Sequence, residues 1–177
     1  MRERRICRHA LQKHGQIEND ALCFLRAESS LGIAKGYKNI VAIAIGTGIG
    51  GAIMVEGKLY RGSTGSAGEF GHTVLGIADR KLHVVPHTFE KLGAKVASEK
   101  YGDTSEIIAI GIANIINSFD PEIVVLGGGG IASGGISIEI VQEIAKNYII
   151  SPFAKNTPIV KGVLGEYAQA MGAALLA

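Results

Sequence analysis

Glycine is the feature that most limits what this chain can become. It supplies 25 of the 177 residues, about twice the usual share, without the strict three-residue period of a collagen helix. Nine of these glycines fall between Gly46 and Gly71, and six between Gly127 and Gly135. Lacking a Cβ, glycine lets main chain lie close against another backbone or a ligand, so two short stretches are given over to close approach. The surroundings are aliphatic, with 47% hydrophobic and 19% charged residues and no tryptophan. That composition excludes disorder and a coiled coil for the whole chain. The length corresponds to about one domain, which buries on the order of 70% of its unfolded surface without needing a disulfide or metal.

Net charge is +2, too small a field to hold nucleic acid or a membrane. Arg2, Arg4, Arg5 and Arg8 form a local basic run on one short helix, read as a solvated face rather than a DNA-binding motif. No apolar h-region follows those arginines, and no apolar run approaches ~18 residues. A cytoplasmic protein without membrane or nucleic-acid partners is expected. Cys7 and Cys23 are too far apart for a C-x-x-C pair and are read as reduced thiols.

The periodicity predicts a helix over residues 2–14, then one capped by Asn19 and ending near Gly36. Ile40 to Ile45 reads as a buried strand. Gly46-Thr47-Gly48-Ile49-Gly50-Gly51 turns it into a second strand, Ala52 to Glu56, with Gly57-Lys58 turning into Leu59-Tyr60. After a glycine-rich loop, strands are expected at 72–77 and 81–85, with Pro86 opening a helix over 88–101. The remaining expectations are a helix from Asp103 or Thr104 to Phe119, a strand over 122–126 and a helix over 137–149. A strand over 158–163 and a closing helix over 166–175 follow. Strands alternating with helices indicate α/β layering.

Four places carry candidate chemistry. The Gly46–Gly51 turn offers backbone N–H groups and the Thr47 hydroxyl to phosphate oxygens. It is neither a Walker A loop nor a Rossmann turn, since no lysine follows the second glycine and a strand, not a helix, comes next. A tight hairpin needs the same glycines. Gly127-Gly128-Gly129-Gly130 stands at the carboxyl end of a buried strand, where open α/β sheets bind ligands; a flexible connection is the other reading. Glu18-Asn19-Asp20 places a carboxylate in a helix's first turn, which a cap and the helix dipole also explain. Gly68-Glu69-Phe70-Gly71-His72 sets a Glu and a His three apart in a loop that also reads as a well-packed turn.

Taken together and in order, "ENDA", "GYKNIVAIAIGTGIGGAIMVEGKLYRG", "SAGEFGH" and "DPEIVVLGGGGIASGG" resemble the ROK family of bacterial and archaeal sugar kinases and sugar-responsive repressors. The resemblance runs from about Glu18 to the C-terminus. It implies the α/β, ribonuclease-H-like fold of the actin/hexokinase superfamily, a mixed sheet with helices on both faces. Residues 18–177 would be the family's C-terminal domain, with residues 1–17 a helix belonging to or leading from the first domain. By the same resemblance, Asp20 is the catalytic base that takes the proton of a hexose 6-hydroxyl as it attacks the γ-phosphoryl group of Mg-ATP. Such a base contributes about 10² to 10⁴ in rate. Asn19, Asp20, Glu69, His72 and Glu90 match sugar ligands. Gly46, Thr47, Gly48 and Gly50 match the phosphate loop, and Gly128, Gly129 and Gly130 the nucleoside-facing wall. Hexose and nucleotide are the implied partners, together with a second copy of the chain.

Two departures qualify the resemblance. The family commonly carries a C-x-C-G-x-x-G-C-x-E zinc motif, and this chain has no cysteine beyond Cys23. If "HTFE" stands where "GCLE" usually does, Glu90 keeps the last sugar ligand while the metal is lost. His72, His83 and His87 could in principle form a substitute zinc site, but zinc is not expected without thiolates. The family's first domain also opens with a D-x-G-G-T turn for Mg²⁺ and the β- and γ-phosphates. Aspartate occurs here only at positions 20, 79, 103 and 120, none in that context. The expected activity is therefore a weak or absent glucokinase-like kinase, the alternative being a sugar-binding regulatory module without turnover.

Overall fold

The structure, a computed structural model, describes residues 19–77, 86–94 and 103–175. The helix expected over 2–14, the basic run, Cys7, His83, the strand at 81–85 and residues 95–101 of the helix over 88–101 lie outside the described residues.

Five strands form one mixed sheet. They are β1 (Ile40–Ile45), β2 (Ile49–Val55), β3 (Lys58–Tyr60), β6 (Ile123–Gly127) and β7 (Ile159–Lys161), in the order β3-β2-β1-β6-β7. β1 pairs antiparallel with β2 (Ala42 opposite Ala52) and parallel with β6 (Ala42 opposite Val125); β7 continues the parallel side. A separate antiparallel pair joins β4 (Val74–Ile77) to β5 (Pro86–Thr88).

The sequences IVAIAI and IVVLG are apolar at every position before their glycine because both faces of the sheet are covered. Val41, Ile43, Ile45, Val124 and Leu126 face one core, with α3 (Ser105–Phe119) and α5 (Ile138–Ala145). Ile40, Ala42, Ile123 and Val125 face the other, with α1 (Asp20–Ser30) and α6 (Ala168–Ala174). Two short helices, α2 (Phe89–Gly93) and α4 (Gly129–Ala132), lie beside the ends of the strands. The layering matches the expected α/β fold. Among the described residues no helix is long and apolar enough to cross a membrane.

Several boundaries differ, each for a tertiary reason. β2 begins at Ile49 rather than Ala52, so the turn from β1 shrinks to Gly46-Thr47-Gly48. The β2–β3 turn is Glu56-Gly57 rather than Gly57-Lys58. Both take positive φ, 50° and 77°, as a two-residue I′ hairpin requires. Asn39 Oδ1 accepts the Glu56 N–H at 3.0 Å and stabilises that strained residue. Pro86 does not open a helix: it begins β5, opposite Ile77, a position where its missing N–H is tolerated. α2 starts only after Thr88, whose side chain accepts the Lys91 N–H at 3.3 Å. α5 stops at Ala145 rather than Ile149 because Asn117 captures the next turn. Its Nδ2 donates to the Tyr148 carbonyl at 2.9 Å and its Oδ1 accepts from Ile150 N–H at 3.0 Å.

Two carboxylates set the register between distant segments. Glu122, just before β6, accepts the N–H groups of Lys38 and Asn39, just before β1, at 2.7 Å each. It thereby aligns the starts of the two central parallel strands. Glu28 on α1 is fully buried and accepts from Ile33 N–H and Leu164 N–H at 3.0 Å each. α1 consequently ends at Ser30 instead of Gly36, as the chain folds back over this carboxylate.

Two outcomes are expected. The amides of Asn39 and Lys38 hold the Glu122 carboxyl below its ordinary 4.5. Its folded-state stabilisation is therefore complete above that value and is lost as pH falls through and below it. Chemical denaturation of Glu122→Gln between pH 6 and pH 3 is expected to show a flatter acid-side loss of stability than wild type. Glu28→Ala strands two amides, each costing about 1–3 kcal/mol. A lowered urea midpoint is the expected result, only partly restored in Glu28→Gln, whose single amide oxygen can accept from just one of the two N–H groups.

Candidate functional site

The sequence motifs converge on the first three residues of β2. A Cβ placed on Gly50 would lie 3.6 Å from the Ala21 Cβ, so the strand passes directly beside the start of α1. Asn19 caps that helix in extended conformation (φ −69°, ψ 145°), its Oδ1 accepting the Ala21 N–H at 2.8 Å. One Asp20 oxygen accepts from the same amide at 2.8 Å. Both side chains are exposed. Because the Asn19 carbonyl oxygen serves the cap, its amide NH₂ is the part left to donate outward.

On the other face of β2, the Gly68–His72 segment packs main chain to main chain. A Cβ on Gly51 would come within 2.6 Å of the Gly68 carbonyl, and one on Gly71 would collide with the Ile49 carbonyl. Phe70 is buried beside Gly51, and its ring meets Phe119 edge-on at 5.7 Å between centroids. The buried Phe70 pins the short helical turn Phe70–His72, leaving the flanking side chains to solvent. His72 Nε2 lies 4.0 Å from Glu69 Oε2, with 70% and 52% of the two side chains exposed. The third attachment is Glu90, on the first turn of α2, whose Oε2 accepts the Ile49 N–H at 3.0 Å. Glu90, the start of α1 and the Gly68–His72 segment are thus attached to three consecutive residues of β2, Ile49, Gly50 and Gly51.

The turn itself differs from the expected run of outward-pointing amides. Gly46 N–H donates to the Gly48 carbonyl at 2.8 Å and Ile49 N–H is taken by Glu90. None of Gly46, Gly48 and Gly50 adopts positive φ. Thr47 is exposed at the tip, and Gly50 belongs to the strand rather than the turn.

The second glycine cluster adjoins the first. Gly128 takes φ 90°, and a Cβ there would run into the Ile45 carbonyl, one residue before the turn. Gly128 is the N-cap of α4, and Gly129 and Gly130 are its first residues. A cavity of about 410 Å³ opens beside them at the carboxyl ends of β6 and β7. It is lined by Phe24, Ala44, Leu126, Gly127, Gly128, Gly129, Ile131 and Ala132 on one side and by Lys161, Gly162, Gly165, Glu166, Ala168 and Gln169 on the other. Ligands in open α/β sheets sit at such carboxyl ends. The wall from Lys161 to Gln169 was missed in the sequence. Its signal was a third strand running into glycine, "VKGVLGE", too short to stand out from a surface loop.

Among the described residues no three His, Cys, Asp or Glu side chains are grouped to hold a metal ion. His72 and His87 are described; His83, the third histidine of the substitute set, is not.

The fold and several relatives agree on what such a site belongs to. A ROK hexokinase from Thermus thermophilus superposes with a TM-score of 0.73 at 28% identity, covering 90% of this chain and 64% of its own. A ROK family glucokinase from Streptomyces griseus, solved with glucose and AMPPNP, shares the fold with a TM-score of 0.76 at 22% identity, covering 91% and 67%. The glucokinase of Thermotoga maritima is 29% identical over 202 residues, covering 89% of this chain and 64% of that protein. The chain therefore spans about two thirds of the length of these proteins. The family model described as the ROK family matches residues 7–90 and 83–177, and this chain, with its actin/hexokinase-like fold, belongs to the ROK family.

Proposed function

We propose that residues 18–177 form the sugar- and nucleotide-facing domain of a ROK-type hexose kinase, glucokinase-like in chemistry. The observation that carries this reading is the convergence on β2. Ile49, Gly50 and Gly51 hold, respectively, Glu90, the start of α1 with Asp20, and the Glu69–His72 segment. Acid groups and a glycine turn from four separate parts of the sequence are thereby gathered at one end of the sheet.

In this reading the Asp20 carboxylate accepts the proton of the hexose 6-hydroxyl as that oxygen attacks the γ-phosphorus, and ADP departs. Glu69, His72, Glu90 and the Asn19 amide bind the other hydroxyls; carboxylate and imidazole acceptors suit the sugar's O–H donors. The Thr47 hydroxyl and the amides of Thr47 and Gly48, which the turn does not use internally, meet phosphate oxygens. The nucleoside lies in the cavity between Gly128–Gly130 and the Lys161–Gln169 wall. Mg²⁺, arriving with ATP, would neutralise charge on the β- and γ-phosphates. This chain's residues position the two substrates and hold the proton. Positioning together with charge neutralisation supplies most of the acceleration in phosphoryl transfer, and these residues contribute one side of it, so slow turnover is expected of them alone. Pairing with a second copy and a cytoplasmic setting belong to the same proposal.

Calorimetry with glucose, mannose and N-acetylglucosamine, paired with an ADP-release assay, tests it. The expected outcome is hexose binding with slow ADP formation. Asp20→Asn should lower that turnover by about 10² to 10⁴ while sugar affinity changes only a few-fold. Binding without turnover that responds to Asp20 would assign a sugar-sensing module instead. Flat traces for every hexose, with no ADP, would overturn both.

A further inference from the structure

Resting on the kinase reading above, we propose that Glu90 is a positioning residue that couples sugar binding to the shape of the phosphate turn. Its carboxylate joins two things that the sequence keeps 41 residues apart. Oε2 accepts the Ile49 N–H at 3.0 Å and lies so near the turn that a Cβ on Gly48 would come within 2.6 Å of it. The turn is itself closed by Gly46 N–H donating to the Gly48 carbonyl at 2.8 Å. Glu90 therefore braces a ring already tightened from within.

The base of that brace is rigid. Phe89, the preceding residue, is fully buried in the core, and its N–H donates to the Thr73 carbonyl at 2.8 Å. A Cβ on Gly93 would touch the Ile49 side chain at 3.4 Å, so α2 holds Ile49 by side chain as well as by main chain. The Thr73 bond also fastens α2 to the segment that carries Glu69 and His72. Movement of the sugar-facing segment consequently reaches the turn through Glu90.

A carboxylate has about four acceptor positions. One oxygen of Glu90 holds the turn while the other, Oε1, has no hydrogen bond among the described residues and is left for a sugar hydroxyl. A hydroxyl donated to Oε1 restrains the carboxylate and with it the Ile49 amide, ordering the turn before phosphate arrives. Such coupling is reciprocal, each ligand raising the other's affinity by one common factor.

The test is calorimetry of Mg-AMPPNP binding to the whole chain, with and without saturating glucose. Wild type is expected to bind the nucleotide more tightly in glucose, within the range of about 5- to 150-fold typical of coupled sites. In Glu90→Ala that factor should collapse to within twofold of unity. Gly48→Ala, which forces the carboxylate away from the turn, should reduce it likewise. Glu90→Gln, whose amide oxygen still accepts from Ile49, should keep part of it and guards against a variant that merely fails to fold. If Glu90→Ala weakens glucose binding but leaves the factor unchanged, Glu90 is only a sugar ligand and the inference fails alone. A wild-type factor of one also overturns it alone. Failure of wild type to bind either ligand overturns the kinase reading and the inference together.

Discussion

Close approach of main chain to main chain around the β1–β2 turn is the constraint on which the candidate site depends. The Ile45 carbonyl lies against Gly128, the Ile49 carbonyl against Gly71, and the backbones of Gly51 and Gly68 against each other. At any of these contacts a single methyl group would push the segments apart. Alanine would not simply add a side chain there; it would separate the Gly68–His72 segment or the Gly128–Gly130 cluster from the turn that lies between them. The glycines therefore act mainly as spacers of zero width, and only secondarily as a surface for ligands.

That geometry is transmitted by the buried central strands. β1 and β6 are covered on both faces, and Glu122 matches their starting points. Since the pair is parallel, their carboxyl ends emerge together, which brings Gly46 and Gly128 to one edge of the sheet. α1 adds the second link. Its first residue is Asp20, beside the turn, and Glu28 two turns later ties it to the chain after β7. Phe24, between them, packs against Gly127 and Gly162 in the cavity wall. One helix thus carries the proposed base and lines the proposed nucleotide pocket.

Legibility in the sequence followed how local the governing interaction is. Ile40–Ile45 was read to the residue because six consecutive apolar, mostly β-branched positions have few alternatives to a doubly buried strand. The cap of α1 at Asn19 was readable because it acts on an amide two residues away. Pro86 was misread for the opposite reason. Its preference for a first helical turn was overridden by pairing with β4, nine residues upstream and invisible to local pattern. The early stop of α5 is of the same kind, set by Asn117 from a different helix. In the candidate site, Asp20, Glu69, His72 and both glycine clusters were found as motifs. The Lys161–Gln169 wall was not, and neither was the bond by which Glu90 holds the turn.

The sequence by itself determined the layer architecture, the two places where backbone must come close, and the family, because these follow from apolar periodicity and from several motifs occurring in one order. Only the tertiary structure decided what the glycines press against, that three motifs meet on Ile49, Gly50 and Gly51, and that Glu90 spends one oxygen on the β1–β2 turn. Those are contacts between residues tens of positions apart. Their existence depends on how the strands align in space, and no local preference of the chain encodes that alignment.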